Sequence, residues 1–318
     1  MNILPDLWYT AGVSTDNDPE QIMNALTTRL TFALVFLLSL LPSLAFGARV
    51  VPAKACIVMD DNDSILYAKN PSAKLPPAST VKLVTAMVAL DRLDPSTKVQ
   101  VSRYAVAARS IKPRLAAGDE LTISDLLHLA LMKSINSAAV ALAEAAGGSE
   151  NAFVELMNQK AAEIGANDTH FVTASGLPKG KQYTTARDLA IILKKALTYP
   201  LIKDIIGKKE WVVTTTAGRE LYLENTDSLL WTSSNMIGGK TGFTCNARHC
   251  FVGAIGTERG LIFTAVLGSP SRYRLWQSAQ MLAEVGTNPQ LVNSLEEQPA
   301  KKTSRPRSRK AKKERKPV

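Results

Sequence analysis

The sequence is poor in the residues that define several protein classes. It has 3 cysteines and 3 histidines in 318 residues, so a disulfide-stapled framework is excluded. Sulfur and imidazole cluster once, at Cys245, His249 and Cys250, but without zinc-ligand spacing and with no second histidine within reach. A zinc site is therefore not expected. Charged residues are only 21% of the chain against 46% hydrophobic ones, which excludes a disordered protein and leaves material for one large core. No internal repeat and no long linker interrupts residues 49–287. A phosphate loop is lacking too, because Ser234 stands where the Gly-x-x-x-x-Gly-Lys spacing before Lys240 needs glycine.

Acids are the scarcer charge, and the imbalance is local. Residues 301–318 hold ten Lys/Arg and one acid, Glu314, a net of +9 out of the chain's +10. The remainder nets +1, so the folded part is expected to be nearly neutral. From about Ser294 apolar residues give out, and Pro306 and Pro317 interrupt any helix. Residues 291–318 read as a solvated basic tail. Its partners would be an anionic membrane surface or a wall polymer; export argues against nucleic acid.

Export is read from the other end. Arg29 precedes an apolar run over residues 30–41, followed by Pro42 and the small-x-small exit at Ala45 and Gly47. That is the signal-peptide pattern. The run falls short of the roughly 20 apolar residues a membrane span needs, and cleavage and anchoring both remain open. Residues 1–22 are polar and acidic, unlike a signal sequence, and Met23 makes a more ordinary start. The expected organisation is a leader over 1–48, a globular domain over 49–290 and the tail, in a protein of the periplasm or the outer face of a bacterial cytoplasmic membrane.

Within the globular part, residues 55–59 and 64–67 read as two strands around the polar turn 60–63. Residues 79–93 are apolar on nearly every side, as a central buried helix is. Helical spacing recurs over 124–131, 137–146, 151–164 and 185–197, the last capped by Thr185. Strand patterns return at 211–215, 236–244, 250–255 and 261–267, and a helix over 271–285 closes the domain. Strands at both ends bracket helices in the middle. The fold class is α/β (α+β), with one antiparallel sheet built from both ends of the domain and a helical lobe inserted between its halves.

Three short patterns can carry chemistry. Pro76-Pro77-Ala78-Ser79-Thr80-Val81-Lys82 places Ser79 at a helix N-terminus, where backbone N–H groups stabilise developing negative charge. Lys82 lies three residues on, on the same face, and a buried lysine loses its proton readily. Ser134-Ile135-Asn136 forms a polar loop between two apolar helices and can point a hydroxyl and an amide into a cleft. Gly239-Lys240-Thr241-Gly242-Phe243-Thr244 lies on a strand whose glycines permit close approach of a ligand or another backbone. Each pattern alone is weak, since a serine cap or turn explains it equally well.

Ser-x-x-Lys, Ser-x-Asn and Lys-Thr-Gly, in that order, resemble the penicillin-recognising serine enzymes. The resemblance runs over nearly all of residues 55–285. Residues 77–83, 136–143, Ser175-Gly176-Leu177 with 184–190, and 239–244 are similar to the low-molecular-mass penicillin-binding proteins of the D-alanyl-D-alanine carboxypeptidase family. The fold it implies is that of the β-lactamases and transpeptidases. It implies Ser79 as nucleophile, Lys82 as general base, and Ser134 as proton relay to the leaving amine. Asn136, Lys240, Thr241, Gly242 and Phe243 are implied to bind substrate, with the backbone N–H groups of Ser79 and Phe243 as oxyanion hole and Arg274 as an added carboxylate ligand. The expected reaction removes the terminal D-alanine of peptidoglycan stem peptides through an acyl-enzyme on serine, which implies no metal and no organic cofactor, with β-lactams as covalent inhibitors. A D,D-endopeptidase cutting cross-links, or a penicillin-binding wall protein without turnover, would use the same residues. Ile135 departs from the middle motif's common glycine or aspartate, and Glu163 does not sit in the pattern of the β-lactamase deacylating glutamate. Cys245 and Cys250 flank a plausible hairpin turn and could pair across it in an oxidising compartment.

Overall fold

Alternation along the strands decides the layering of this protein. The computed structural model describes Met23 and residues 50–295; the rest of the predicted leader and residues 296–318 lie outside the described residues. The elements, in chain order, are β1 (Ala55–Asp60), β2 (Ile65–Lys69), α1 (Lys82–Arg92), β3 (Lys98–Gln100), α2 (Arg103–Ala107), β4 (Glu120–Thr122), α3 (Ile123–Leu131), α4 (Asn136–Gly147) and α5 (Glu150–Glu163). There follow α6 (Ala186–Ala196), α7 (Pro200–Gly207), β5 (Glu210–Thr214), β6 (Glu220–Glu224), α8 (Leu229–Thr232), β7 (Met236–Thr244), β8 (Arg248–Thr257), β9 (Gly260–Ser269) and α9 (Arg272–Thr287).

The main sheet has five strands in the order β2-β1-β9-β8-β7, every neighbouring pair antiparallel. β1 pairs with β9 from Ala55↔Leu267 to Asp60↔Ile262, so both ends of the domain do meet in one sheet. Odd positions of β1 (Ala55, Ile57, Met59) pack into one core with α1 and the helical lobe. Cys56 and Val58 face the other way, into a second core with α9. β9 divides in the same manner: Phe263, Ala265 and Leu267 against Ile262 and Val266. A sheet buried on both faces follows from the period of two. α1 is buried along its whole first two turns, from Lys82 to Ala89, as its all-round apolarity requires.

Three expectations shift. The strand read over 211–215 does not join the main sheet; β5 pairs only with β6, and Val213 alone of β5 is buried. Its Trp211 and Val212 stay exposed, and the hairpin stands as a separate two-stranded ribbon beside the main sheet. The domain also runs past residue 290, because Leu295 is buried in the second core with Leu291 and Val292 packed against it. Finally, residues 50–295 hold 26 Lys/Arg against 21 Asp/Glu, a net of +5, so the folded part is basic in its own right. The acidic residues before Met23 had masked that excess. No helix among the described residues is long and apolar enough to cross a membrane, and the apolar run at 30–41 lies outside them.

Candidate active site

Ser79 sits in a short 3-10 turn (Ala78–Val81) that leads directly into α1. The preceding Ala78 is held at φ +50°, in the left-handed region, as is Ser134 at φ +62°. An L-residue there costs roughly 1–2 kcal/mol, so both hydroxyls are presented from backbone that packing must hold in place. Part of that packing is visible at Gly176. A Cβ there would lie 1.9 Å from the Ala78 carbonyl oxygen, and only glycine lets the 175–177 loop close over the turn.

The closure brings a carbonyl to Lys82. This lysine is fully buried, and its Nζ lies 2.9 Å from Ser79 Oγ, 2.6 Å from Asn136 Oδ1, 2.8 Å from the Ser175 carbonyl and 3.5 Å from Ser134 Oγ. Burial lowers its pKa well below the ordinary lysine value, and the nearby charge of Lys240 lowers it further. A neutral amine has two N–H donors and one lone pair. With Asn136 Oδ1 and the Ser175 carbonyl each taking a proton, the lone pair is left for the Ser79 hydroxyl. The Ser175 contact was not legible in the sequence beyond the Ser-Gly-Leu pattern itself.

Ser134 and Asn136 are fixed from an unexpected side. α4 has no side-chain cap of its own; its N-cap is Ile135, a fully buried residue that anchors the motif in the core. Ser110, 26 residues away in sequence, accepts instead from the amides of Asn136 and Ser137 at 3.1 and 3.0 Å. Asn136 Nδ2 donates to the Arg109 carbonyl. Nothing in the 109–110 sequence marks it as a cap, because the helix it serves is not adjacent.

The opposite wall is β7. A Cβ at Gly242 would meet the Ser79 amide nitrogen at 2.9 Å and Ala78 Cβ at 3.0 Å, which is why glycine stands where strand and nucleophile touch. The Thr241 hydroxyl is 2.6 Å from that of Thr226, a residue the sequence reading missed. Lys240 is fully buried and, among the described residues, donates only to the neighbouring Thr241 carbonyl, at 3.0 Å. Burial brings its pKa down to about 7, opposed by the Asp227 carboxylate. Asp227 is itself fully buried and is pushed up to about 7 by desolvation, against the hydrogen bond from the Leu229 amide and the pull of Lys240. Its Oδ2 has no hydrogen-bond partner among the described residues.

Between the walls lies a cavity of about 460 Å³ that reaches Ser79, Ser134, Asn136, Thr241, Gly242 and Phe243. Neither lysine lines it; they lie beneath its floor. No carboxylate among the described residues lines it either, and Glu163 is paired with Lys160 elsewhere. Arg274 does not reach it: its guanidinium bonds Gln277 Oε1 at 2.7 Å on the exposed side of α9. Arg272 lines the cavity in its place, two residues earlier, because the first turn of α9 rotates the two arginines to different faces. Of the two states open to Cys245 and Cys250, the structure has the unpaired one. Cys250 stands opposite Gly242 in the β7–β8 register and is buried, whereas Cys245 lies in the turn beyond Thr244↔Arg248 and is exposed. Not being cross-strand partners, both remain free thiols.

The sheet built from both ends, the inserted helices and the order of the three motifs define a penicillin-recognising serine peptidase of the β-lactamase/transpeptidase fold. The chain belongs to the peptidase S11 family, D-alanyl-D-alanine carboxypeptidase, whose sequence profile matches residues 45–271. It is 34% identical over 204 residues to the D-alanyl-D-alanine carboxypeptidase DacF of Bacillus subtilis, a match that covers 62% of this chain and 52% of that protein. The chain thus spans about half the length of that relative. It is 36% identical over 208 residues to the D-alanyl-D-alanine endopeptidase of Escherichia coli, covering 64% and 66% of the two chains. The solved D-alanyl-D-alanine carboxypeptidase of Mycobacterium tuberculosis superposes with a TM-score of 0.69 at 31% identity, over 77% of this chain and 95% of that one.

Proposed function

We propose that this chain is a serine D-Ala-D-Ala carboxypeptidase that removes the terminal D-alanine of peptidoglycan stem peptides through an acyl-enzyme on Ser79. The observation that carries the reading is the 2.9 Å contact between Ser79 Oγ and the fully buried Lys82 Nζ. Neutral Lys82 takes the hydroxyl proton as Ser79 attacks the carbonyl between the two D-alanines. The oxyanion faces the backbone N–H groups of Ser79 and Phe243. Ser134, within 3.5 Å of Lys82 Nζ, passes the proton to the leaving D-alanine nitrogen. Water then resolves the ester, and the serine proton returns. Thr241 and Arg272 receive the terminal carboxylate directly, while Lys240 supports it from beneath through its charge. With no carboxylate at the cavity to activate water, a β-lactam is expected to acylate Ser79 and stay.

The second reading, a D,D-endopeptidase, is favoured by the E. coli relative of that name. Both readings place the enzyme outside the cytoplasmic membrane, where the leader at 1–48 would send it, with a catalytic domain from residue 49 and the basic tail held to an anionic surface. Protein from residue 49 onward, with a Ser79→Ala control, is to be incubated with a D-Ala-D-Ala pentapeptide and with cross-linked muropeptide dimers. Mass spectrometry is expected to show loss of one alanine from the pentapeptide alone. Dimers cut to monomers would establish the endopeptidase, and no product from either would overturn both.

A further inference from the structure

Between Pro95 and Gly118 the chain has five basic residues and no acid. The end of this stretch forms one rim of the catalytic cavity: Arg109, Ser110 and Ile111 line it. Just beyond them Lys112, Pro113 and Arg114 line a second hollow of about 610 Å³, together with Lys133 and Tyr222. The two hollows meet along the chain at two points, Ile111/Lys112 and Lys133/Ser134. The β5–β6 hairpin closes the far side, tied to the rim by Arg219, whose Nη1 donates to the Arg114 carbonyl at 3.1 Å and whose Nη2 pairs with Asp119. That pairing takes up the acid that follows the stretch. Lys112, Arg114 and Lys133 enter no ion pair among the described residues. Two carboxylates act on the lining Tyr222, Glu210 at its hydroxyl and Glu224 two residues along β6, both on the hairpin rather than among the lining residues. Tyr222 keeps 59% of its surface exposed and offers a flat apolar side to whatever lies along the cations.

Three cations with no ion-pair partner among the described residues and an aromatic face, adjoining the cleft along the chain and with no acid among the described lining residues, complement an anionic, partly apolar, extended ligand. The terminal carboxylate of the substrate is already accommodated on the opposite wall by Thr241 and Arg272. We propose that this trough is a second substrate subsite, one that takes carboxylates carried by the peptide or strand beyond the reacting D-alanines. It makes the enzyme selective for acidic stem peptides over amidated ones. The assignment rests on the peptidase reading above and concerns only which peptides reach Ser79.

The test uses two synthetic peptides ending in D-Ala-D-Ala, identical except that one carries two upstream glutamates and the other two glutamines. At low ionic strength the wild type is expected to favour the acidic peptide by about tenfold in kcat/KM, through KM rather than kcat, and to lose the preference in high salt. Lys112→Glu/Arg114→Glu is expected to abolish or invert the preference while the glutamine peptide and penicillin acylation are unchanged. Lys112→Gln/Arg114→Gln, milder for folding, is expected to give an intermediate loss. Equal kcat/KM for the two peptides in the wild type, or a preference that survives both variants, would overturn the subsite. So would competition by a glycerol-phosphate polymer but not by the acidic peptide, which would make the trough a polymer site. Failure of penicillin to acylate the wild type would instead strike at the peptidase reading.

Discussion

The helical wall and the sheet wall of the cleft each hide one lysine, and they hold it by different physics. Lys82, on the helical side, has four oxygens within 3.5 Å, contributed by Ser79, Asn136, Ser134 and Ser175. Lys240, on the sheet side, has one hydrogen bond to its own neighbour's carbonyl and the field of the buried Asp227. Hydrogen bonds fix where a group points, and charges fix which protonation state it prefers. The first wall is thus built to aim a lone pair; on the second, the Asp227 charge opposes the desolvation that brings the Lys240 pKa down to about 7. A nucleophile's base must be neutral and a carboxylate's partner must be charged, so one cleft needs both devices, brought together from opposite ends of the domain sequence.

The largest break in that comparison is expected from Lys82→Ala. It removes the base and should slow acylation of Ser79 by fluorescent penicillin by about a thousandfold, with the circular dichroism spectrum retained; normal labelling would refute the base assignment. Next comes Gly242→Val on the sheet wall. Its branched side chain starts from a Cβ 2.9 Å from the Ser79 amide and should spoil the oxyanion site, lowering acylation about a hundredfold, read by stopped-flow with a chromogenic β-lactam.

Asp227→Asn sharpens the contrast through pH. Substrate cleavage needs Lys82 neutral, so activity is lost as pH falls through its depressed pKa. It also needs Lys240 charged, so activity is lost as pH rises through about 7. Removing the Asp227 charge takes away the attraction that raises the Lys240 pKa, and the alkaline limb of kcat/KM should move to lower pH while the acid limb stays. An unmoved alkaline limb would show that Asp227 does not support the cation. The smallest effect is expected from Ser110→Ala. Loss of the remote cap on α4 should destabilise the domain by about 1 kcal/mol, a fall in melting temperature of roughly 2–4 °C for a domain of this size. Activity should change less than stability, since Ile135 still anchors the motif.

Much of this was legible before any coordinates. The apolar strand runs of β1, β8 and β9 and the all-round apolarity of α1 are local signals, and both end up buried in the two cores. Thr185 caps α6 by accepting from the Asp188 amide at 3.0 Å, as its place before a helical pattern required. Ser79 with Lys82, Ser134 with Asn136, and Lys240 with Gly242 are legible because each pair is only two or three residues apart, where local spacing constrains how the side chains can meet. β5 was assigned to the wrong sheet because a strand pattern carries no information about its partner.

What the sequence by itself determined is therefore the set of short-range units and the family they resemble. Tertiary structure alone decided how the units meet. It placed the Ser175 carbonyl on Lys82 across 93 residues and the Ser110 hydroxyl under α4 across 26. It turned Arg272 rather than Arg274 toward the cleft, kept Cys245 and Cys250 as separate thiols, and set Asp227 near Lys240. The reason is physical. Local geometry follows from backbone periods that any reader can count, but burial, and with it the protonation of both lysines, exists only once distant segments have excluded water from between them.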